Sequence, residues 1–60
     1  MILPEDDFIL LSLINTKLRD EYSSLEDLCE EEGVSVEEIC SRLEGLGYRY
    51  TPEYAAFKRV

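Results

Sequence analysis

Sixty residues carrying 14 Asp and Glu against six Lys and Arg, a net charge of −8, describe one small acidic domain. A chain this short hides only about 60% of the surface that it exposes when unfolded, so its stability is marginal and self-association would add to it. The charge is concentrated between Asp20 and Glu38, which disfavours phosphate backbones and anionic membranes and favours a basic protein surface.

Pro4 followed by Glu5, Asp6 and Asp7 predicts a helix start, because proline suits the first turn and carboxylates suit the positive end of the helix dipole. The first helix is expected over about residues 5–22. Leu10, Leu11, Ile14, Leu18 and Tyr22 form its core stripe, with Phe8 at the edge. Ile9 and Leu13 fall outside that stripe, one turn apart on the far side. The apolar run from Phe8 to Ile14, broken only by Ser12, is far shorter than the roughly 20 residues that span a bilayer. Acidic residues precede it where a secretory signal would be basic, so the chain is expected to be cytoplasmic.

Ser23 and Glu26 have the spacing of a capping box, which predicts a second helix over about 24–32 presenting Leu25, Leu28 and Cys29. Gly33 should end it in the left-handed conformation. Ser35 and Glu38 repeat the box and open a third helix over about 36–46, with Val36, Ile39, Cys40, Leu43 and Leu46 as its apolar face. Gly45 should fray that helix and Gly47 should stop it. Two extended pieces follow over about 48–58, Tyr48 and Tyr50 before a turn at Thr51, Pro52 and Glu53, then Tyr54 and Phe57. The fold class is therefore mainly α, a single domain over 1–60 with a three-helix core of helix-turn-helix type and a short C-terminal β-hairpin, winged-helix-like. The helix-turn-helix reading rests on Cys29, Gly33, Val34, Ser35 and Ile39, whose spacing suits two helices meeting at a glycine turn.

Asn15, Thr16, Lys17, Leu18, Arg19 and Asp20, followed by Tyr22, Ser24, Leu25, Leu28, Cys29, Gly47, Tyr48 and Tyr50, resemble an uncharacterised bacterial family of very short proteins. The resemblance spans nearly the whole chain. It implies a cytoplasmic bacterial protein and carries over no activity or site residue. It also implies an asparagine between the turn and the last phenylalanine, where this chain has Ala55 and Ala56.

No histidine is present, so the commonest general base near neutral pH is missing. Glu30, Glu31 and Glu32 close a short helix beside a turn, the place of a solvated face, and the chain is not expected to be an enzyme. Cys29 and Cys40 fit a disulfide, half a metal site or small core residues. Two soft ligands at wide spacing are too few for structural zinc, and buried free thiols are the favoured reading. No metal, cofactor or small-molecule substrate is expected.

Arg42, Arg49, Lys58 and Arg59 lie in the last third, opposed there only by Glu44 and Glu53. They are the candidates for a nucleic-acid contact, but Glu37 and Glu38 open the helix that would enter the groove, and Glu38 should pair with Arg42 instead. Lys17 should pair with Glu21. Ser12, Asn15 and Arg19 form a polar strip in which Arg19 is expected to tie the first helix to a carboxylate of the acidic middle, the alternative being a docking surface. For Ile9 and Leu13, either the hairpin covers them with Tyr50 or Phe57, or they meet a second protomer or a partner helix. The expected function is thus a non-enzymatic protein interaction module, self-associating through Ile9 and Leu13 and offering Glu30, Glu31, Glu37 and Glu38 to a basic or mixed partner surface. The alternative is a winged regulator that meets nucleic acid through its basic C-terminal end.

Overall fold

Asp6 rather than Pro4 begins the first helix in the computed structural model, which describes residues 1–60. One carboxylate oxygen of Asp6 accepts the backbone N–H groups of Phe8 and Ile9, at 2.8 and 3.2 Å, so two donors that the helix leaves free are satisfied at once. Helix α1 runs over Asp7–Asp20. It starts later than the sequence suggests because Arg42 takes the carbonyls of Pro4 and Glu5, as described below, and fixes those residues outside the helix. It also ends before Tyr22, where the N–H groups of Glu21 and Tyr22 both donate to the Lys17 carbonyl and turn the chain aside.

Helix α2 covers Leu25–Glu32, and its N-cap is Ser24, whose hydroxyl accepts from Asp27 N–H at 3.1 Å. The expected box of Ser23 and Glu26 is therefore displaced by one residue. The cause is distant in sequence: the Tyr50 hydroxyl accepts the Leu25 N–H at 3.2 Å and supplies the first turn with an acceptor that local spacing cannot reveal. Gly33, at φ +72°, ends α2 as expected and carries the chain into Ser35, which caps α3 over Val36–Glu44. That cap is one-sided, with the Ser35 hydroxyl accepting from Glu38 N–H. Helix α3 stops at Gly45 instead of reaching Leu46, and Gly47 then takes φ +89° to redirect the chain.

Three helices are thus followed by an antiparallel hairpin of β1, Tyr48–Thr51, and β2, Ala56–Arg59. Tyr54, expected in the second strand, falls in the loop, because reversal takes the four residues Pro52 to Ala55. Two consecutive turns, Tyr54 N–H to Thr51 and Ala55 N–H to Pro52, fold them back. Ala55 completes the reversal at φ +47°, a left-handed conformation that disfavours any residue with a Cβ.

Leu10, Ile14 and Leu18 of α1, Leu25, Leu28 and Cys29 of α2, Ile39 and Leu43 of α3, and Phe57 of β2 make one buried core. Cys29 and Ile39 bracket the glycine turn from inside that core, as the helix-turn-helix spacing predicts. Of the expected α1 stripe, Leu11 and Tyr22 are half-buried and Phe8 is exposed. Both cysteines are free thiols, Cys29 buried and Cys40 half-buried.

Phe57 owes its place to Asn15. The Asn15 side-chain oxygen accepts the Phe57 N–H at 2.8 Å, and its amide nitrogen donates to the Phe57 carbonyl at 3.1 Å. One amide thus acts as a neighbouring strand for the outer edge of β2. Tyr50 lies opposite Phe57 in register, with ring centroids 5.6 Å apart. Asn15→Ala would leave the Phe57 N–H and C=O without partners in a half-buried setting. Each such group costs about 1–3 kcal/mol, so this substitution should lower the urea midpoint sharply, whereas Asn15→Asp, which keeps the acceptor, should lose less.

Candidate functional site

The hairpin settles against α1 at Asn15 and leaves Phe8, Ile9, Ser12 and Thr16 exposed beside it. Two shallow grooves flank this helix and share Phe8, Ser12 and Thr16. The larger, about 570 Å³, lies between α1 and the hairpin, with Leu11, Ala55, Ala56 and Phe57 as apolar lining and Arg19 and Lys58 among its polar residues. The smaller, about 480 Å³, continues round the helix through Asp6, Ile9 and Leu13.

Ile9 is 58% exposed, Phe8 63% and Tyr54 67%. Leu13 is half-buried yet lies outside the core cluster. Neither expected cover reaches Ile9: Phe57 is in the core, and Tyr50 turns to the start of α2. The structure brings Ile9 and Leu13 together in one groove with Phe8, expected at the core edge, and puts Tyr54, expected in a strand, on the adjoining groove. Phe8 could have been found from its place one turn before Ser12 on the outer side of the helix. For Tyr54 the sequence holds no signal, because only the four-residue loop turns it outward.

Glu30, Glu31, Glu37 and Glu38 are all exposed on either side of the Gly33–Ser35 turn and enter no ion pair. The basic candidates do not act as one group. Arg42 is half-buried and does not pair with Glu38; its Nε donates to Asp7 at 2.6 Å, and its Nη2 to the carbonyls of Pro4 and Glu5 at 2.6 and 3.0 Å. Its fork suits three acceptors gathered at a helix entry better than one carboxylate on its own helix. Arg49 and Lys58, opposite each other in register, and Arg59 remain exposed and unpaired, with Lys58 5.0 Å from the centre of the Tyr54 ring.

Arg19 does not bridge to the acidic middle. It is 73% exposed and grips its neighbour Asp20 at 2.8 and 3.0 Å. Lys17 makes the expected pair with Glu21 at 3.5 Å and also reaches Glu32 at 3.4 Å, because its position beside the core stripe faces α2. Tyr22 donates to the same Glu32 oxygen at 2.7 Å, so the C-terminal ends of α1 and α2 meet on one carboxylate. Burial draws the Lys17 ammonium down, but the bond to Glu32 and the charges of both glutamates reverse this and leave its pKa raised. The Tyr22 bond, aided by Lys17, holds Glu32 below the ordinary range against partial burial. Burial pushes both cysteine thiols up, which favours the protonated form.

With this geometry in view, the chain can be placed among known proteins. The family model described as a domain of unknown function (DUF4250) matches residues 4–57. The chain belongs to this family. No curated protein and no solved structure matches it significantly. The matched span includes all three helices, the loop and β2 as far as Phe57, and so takes in both grooves and the Asn15 to Phe57 contact. No helix is long and apolar enough to cross a membrane.

Two measurements probe these local constraints. The Tyr22 phenol is pushed up to about 12, first by its bond to Glu32, then by burial and by neighbouring acidic charge. A raised pKa means that the folded state prefers the neutral phenol, so its contribution is complete below pH 10, the ordinary value, and is lost as pH rises towards about 12. Glu32 has the opposite sign, its contribution being present above its ordinary 4.5 and lost as pH falls below that. Urea titrations should show Tyr22→Phe losing less stability than wild type between pH 10 and pH 12. At the loop, Ala55→Gly removes the steric cost of φ +47° at the expense of some chain entropy. It should raise stability by about 0.5–1 kcal/mol, read as a higher melting temperature.

Proposed function

We propose that this chain is a non-enzymatic protein interaction module whose contact surface is the outer side of α1. The observation that carries the reading is the exposure of Phe8, Ile9 and Tyr54 around two adjoining grooves on one side of a very small domain. Scattered exposed apolar residues are ordinary, but large side chains gathered beside continuous grooves mark contact surfaces on soluble domains. The acidic residues Glu30, Glu31, Glu37 and Glu38 form a second, polar element of this reading, suited to a basic partner.

The winged-regulator alternative draws its support from the three unpaired cations of the hairpin, Arg49, Lys58 and Arg59. A duplex grip of 6–10 phosphates, roughly, asks for more cations than these. Arg42 has its donors engaged at the entry of α1, and Glu37 and Glu38 would face the phosphates or bases. The protein-contact reading is favoured on that count.

Affinity capture from the native host tests the proposal, comparing wild type with Ile9→Glu and Leu13→Glu. Wild type should retain a partner, and both variants should lose it while keeping their helical circular dichroism. Fluorescence anisotropy with a DNA duplex at low salt should show no binding. Tight, salt-sensitive binding abolished by Arg49→Ala with Lys58→Ala would replace this reading with the regulatory one.

A further inference from the structure

The two edges of the hairpin are finished differently. Residues of an antiparallel pair alternate between positions whose backbone groups bond across the ladder and positions whose groups point outward. The Phe57 N–H and C=O point outward, since both meet the Asn15 amide, whereas the Val60 N–H points inward to the Gly47 carbonyl at 2.9 Å. Tyr50 stands opposite Phe57, and Tyr48 opposite Arg59, so the N–H and C=O of both tyrosines point outward on β1. Asn15 closes the edge of β2 at Phe57. On β1 no group of the chain bonds the backbone of Tyr48 or Tyr50 on that side. Pro52, the next outward position, has no N–H and gives its carbonyl to Ala55, so the free edge ends there with two donors and two acceptors.

We propose that this edge takes an extended acidic segment of another protein as a third strand, hydrogen-bonded to Tyr48 and Tyr50 with a carboxylate set against Arg49. Strand addition at an open edge gains affinity from main-chain bonds and specificity from alternate side chains. If Tyr48 and Tyr50 are the hydrogen-bonded positions of an antiparallel pairing, Arg49 is the non-bonded position between them, where cross-strand side chains come closest. Arg49 is exposed, and Lys58, also exposed, lies directly across from it in β2. Neither pairs with a carboxylate, and Glu53 is the one acidic side chain among residues 46–60. Tyr48 and Tyr50 pack towards the core from the other face and remain half-buried, which suits β-branched apolar residues on either side of the carboxylate. The segment is therefore apolar, acidic and apolar in alternation.

A second copy of the chain fits poorly. Two β1 strands that share all these groups would cross at Arg49 and set like charges directly opposite each other, which is destabilising. Charges on natural edge strands prevent self-pairing in this way, and here the same arginine selects an acidic strand. The site uses none of the exposed residues of α1 and stands apart from the contact surface proposed there.

Nuclear magnetic resonance of the isotope-labelled protein with a short blocked peptide centred on Val-Glu-Val tests this. In the free protein the Tyr48 and Tyr50 amide hydrogens should exchange fast and those of Arg49 and Thr51 slowly, and the peptide should slow the first two. Exchanging the peptide's glutamate for lysine should weaken binding about fivefold, the scale of a cross-strand charge pair. The exposed Arg49→Glu variant should reverse the preference between the two peptides. Methylating the backbone nitrogen of either valine should abolish binding, whereas methylating that of the glutamate, which points away from β1, should not. Tyr48 and Tyr50 amides already slow in dilute free protein would overturn the inference, as would no binding at millimolar peptide. Slowing that grows with protein concentration alone would replace the acidic partner with a second copy. Binding indifferent to the lysine exchange would overturn the role of Arg49, and binding that tolerates the methylated valines would overturn strand addition.

Discussion

A single side-chain amide decides where the hairpin sits. A two-stranded hairpin has little stability of its own and needs a surface to pack against. Asn15 supplies both a donor and an acceptor to Phe57, and so completes the ladder on the outer edge of β2 at the residue whose ring enters the core. The arrangement of the rest follows. With Phe57 inserted, Tyr50 stacks on it and reaches back to cap Leu25, which in turn fixes where α2 begins. With the hairpin held at Asn15, Phe8 at the rim of the larger groove and Ile9 beyond it stay mostly exposed. The open face is a consequence of how the closed one is built.

The cations show a division of labour that composition hides. Of six basic residues, Lys17 and Arg42 join elements that are far apart in sequence, and Arg19 is held by its neighbour. Lys17 and Tyr22 converge on Glu32, which couples the ends of α1 and α2 in a region otherwise crowded with carboxylates. The remaining three stand on the hairpin without partners. In a domain with so large an excess of acid, every positive charge has a carboxylate available for cohesion. It keeps half of them on the element that borders the larger groove.

Much of this fold is legible in the sequence. The apolar spacing of Leu10, Ile14 and Leu18, the glycine at 33 and the serine at 35 determine three helices and their order, because these are local signals with a local physical cause. The errors share a different cause. Helical spacing points Arg42 to Glu38, one turn back, but three acceptors gathered at residues 4, 5 and 7 provide a better-matched site for its fork. The Ser23 and Glu26 spacing misses Ser24 as the cap because the Tyr50 hydroxyl that meets Leu25 comes from a distant strand. Lys17, not Arg19, makes the bridge from the first helix to the acidic middle, because two residues of helical rotation decide which of them faces α2. In the candidate site, Ile9 and Leu13 stood out as apolar residues that the core did not need, whereas Tyr54 depended on the conformation of a loop. Spacing along the chain reveals which residues are left over from packing, and only tertiary structure reveals what gathers beside them.

Ala55 ties conformational cost to access. It holds a backbone that suits glycine or asparagine, and it also lines the larger groove. Among residues with a side chain, those that tolerate this backbone best, asparagine and aspartate, would bring a polar group into that groove. Alanine accepts the strain and keeps the lining small and apolar. Stability and accessibility are in this way traded against each other at one position, and selection for a tighter loop would act directly on the shape of the surface beside it.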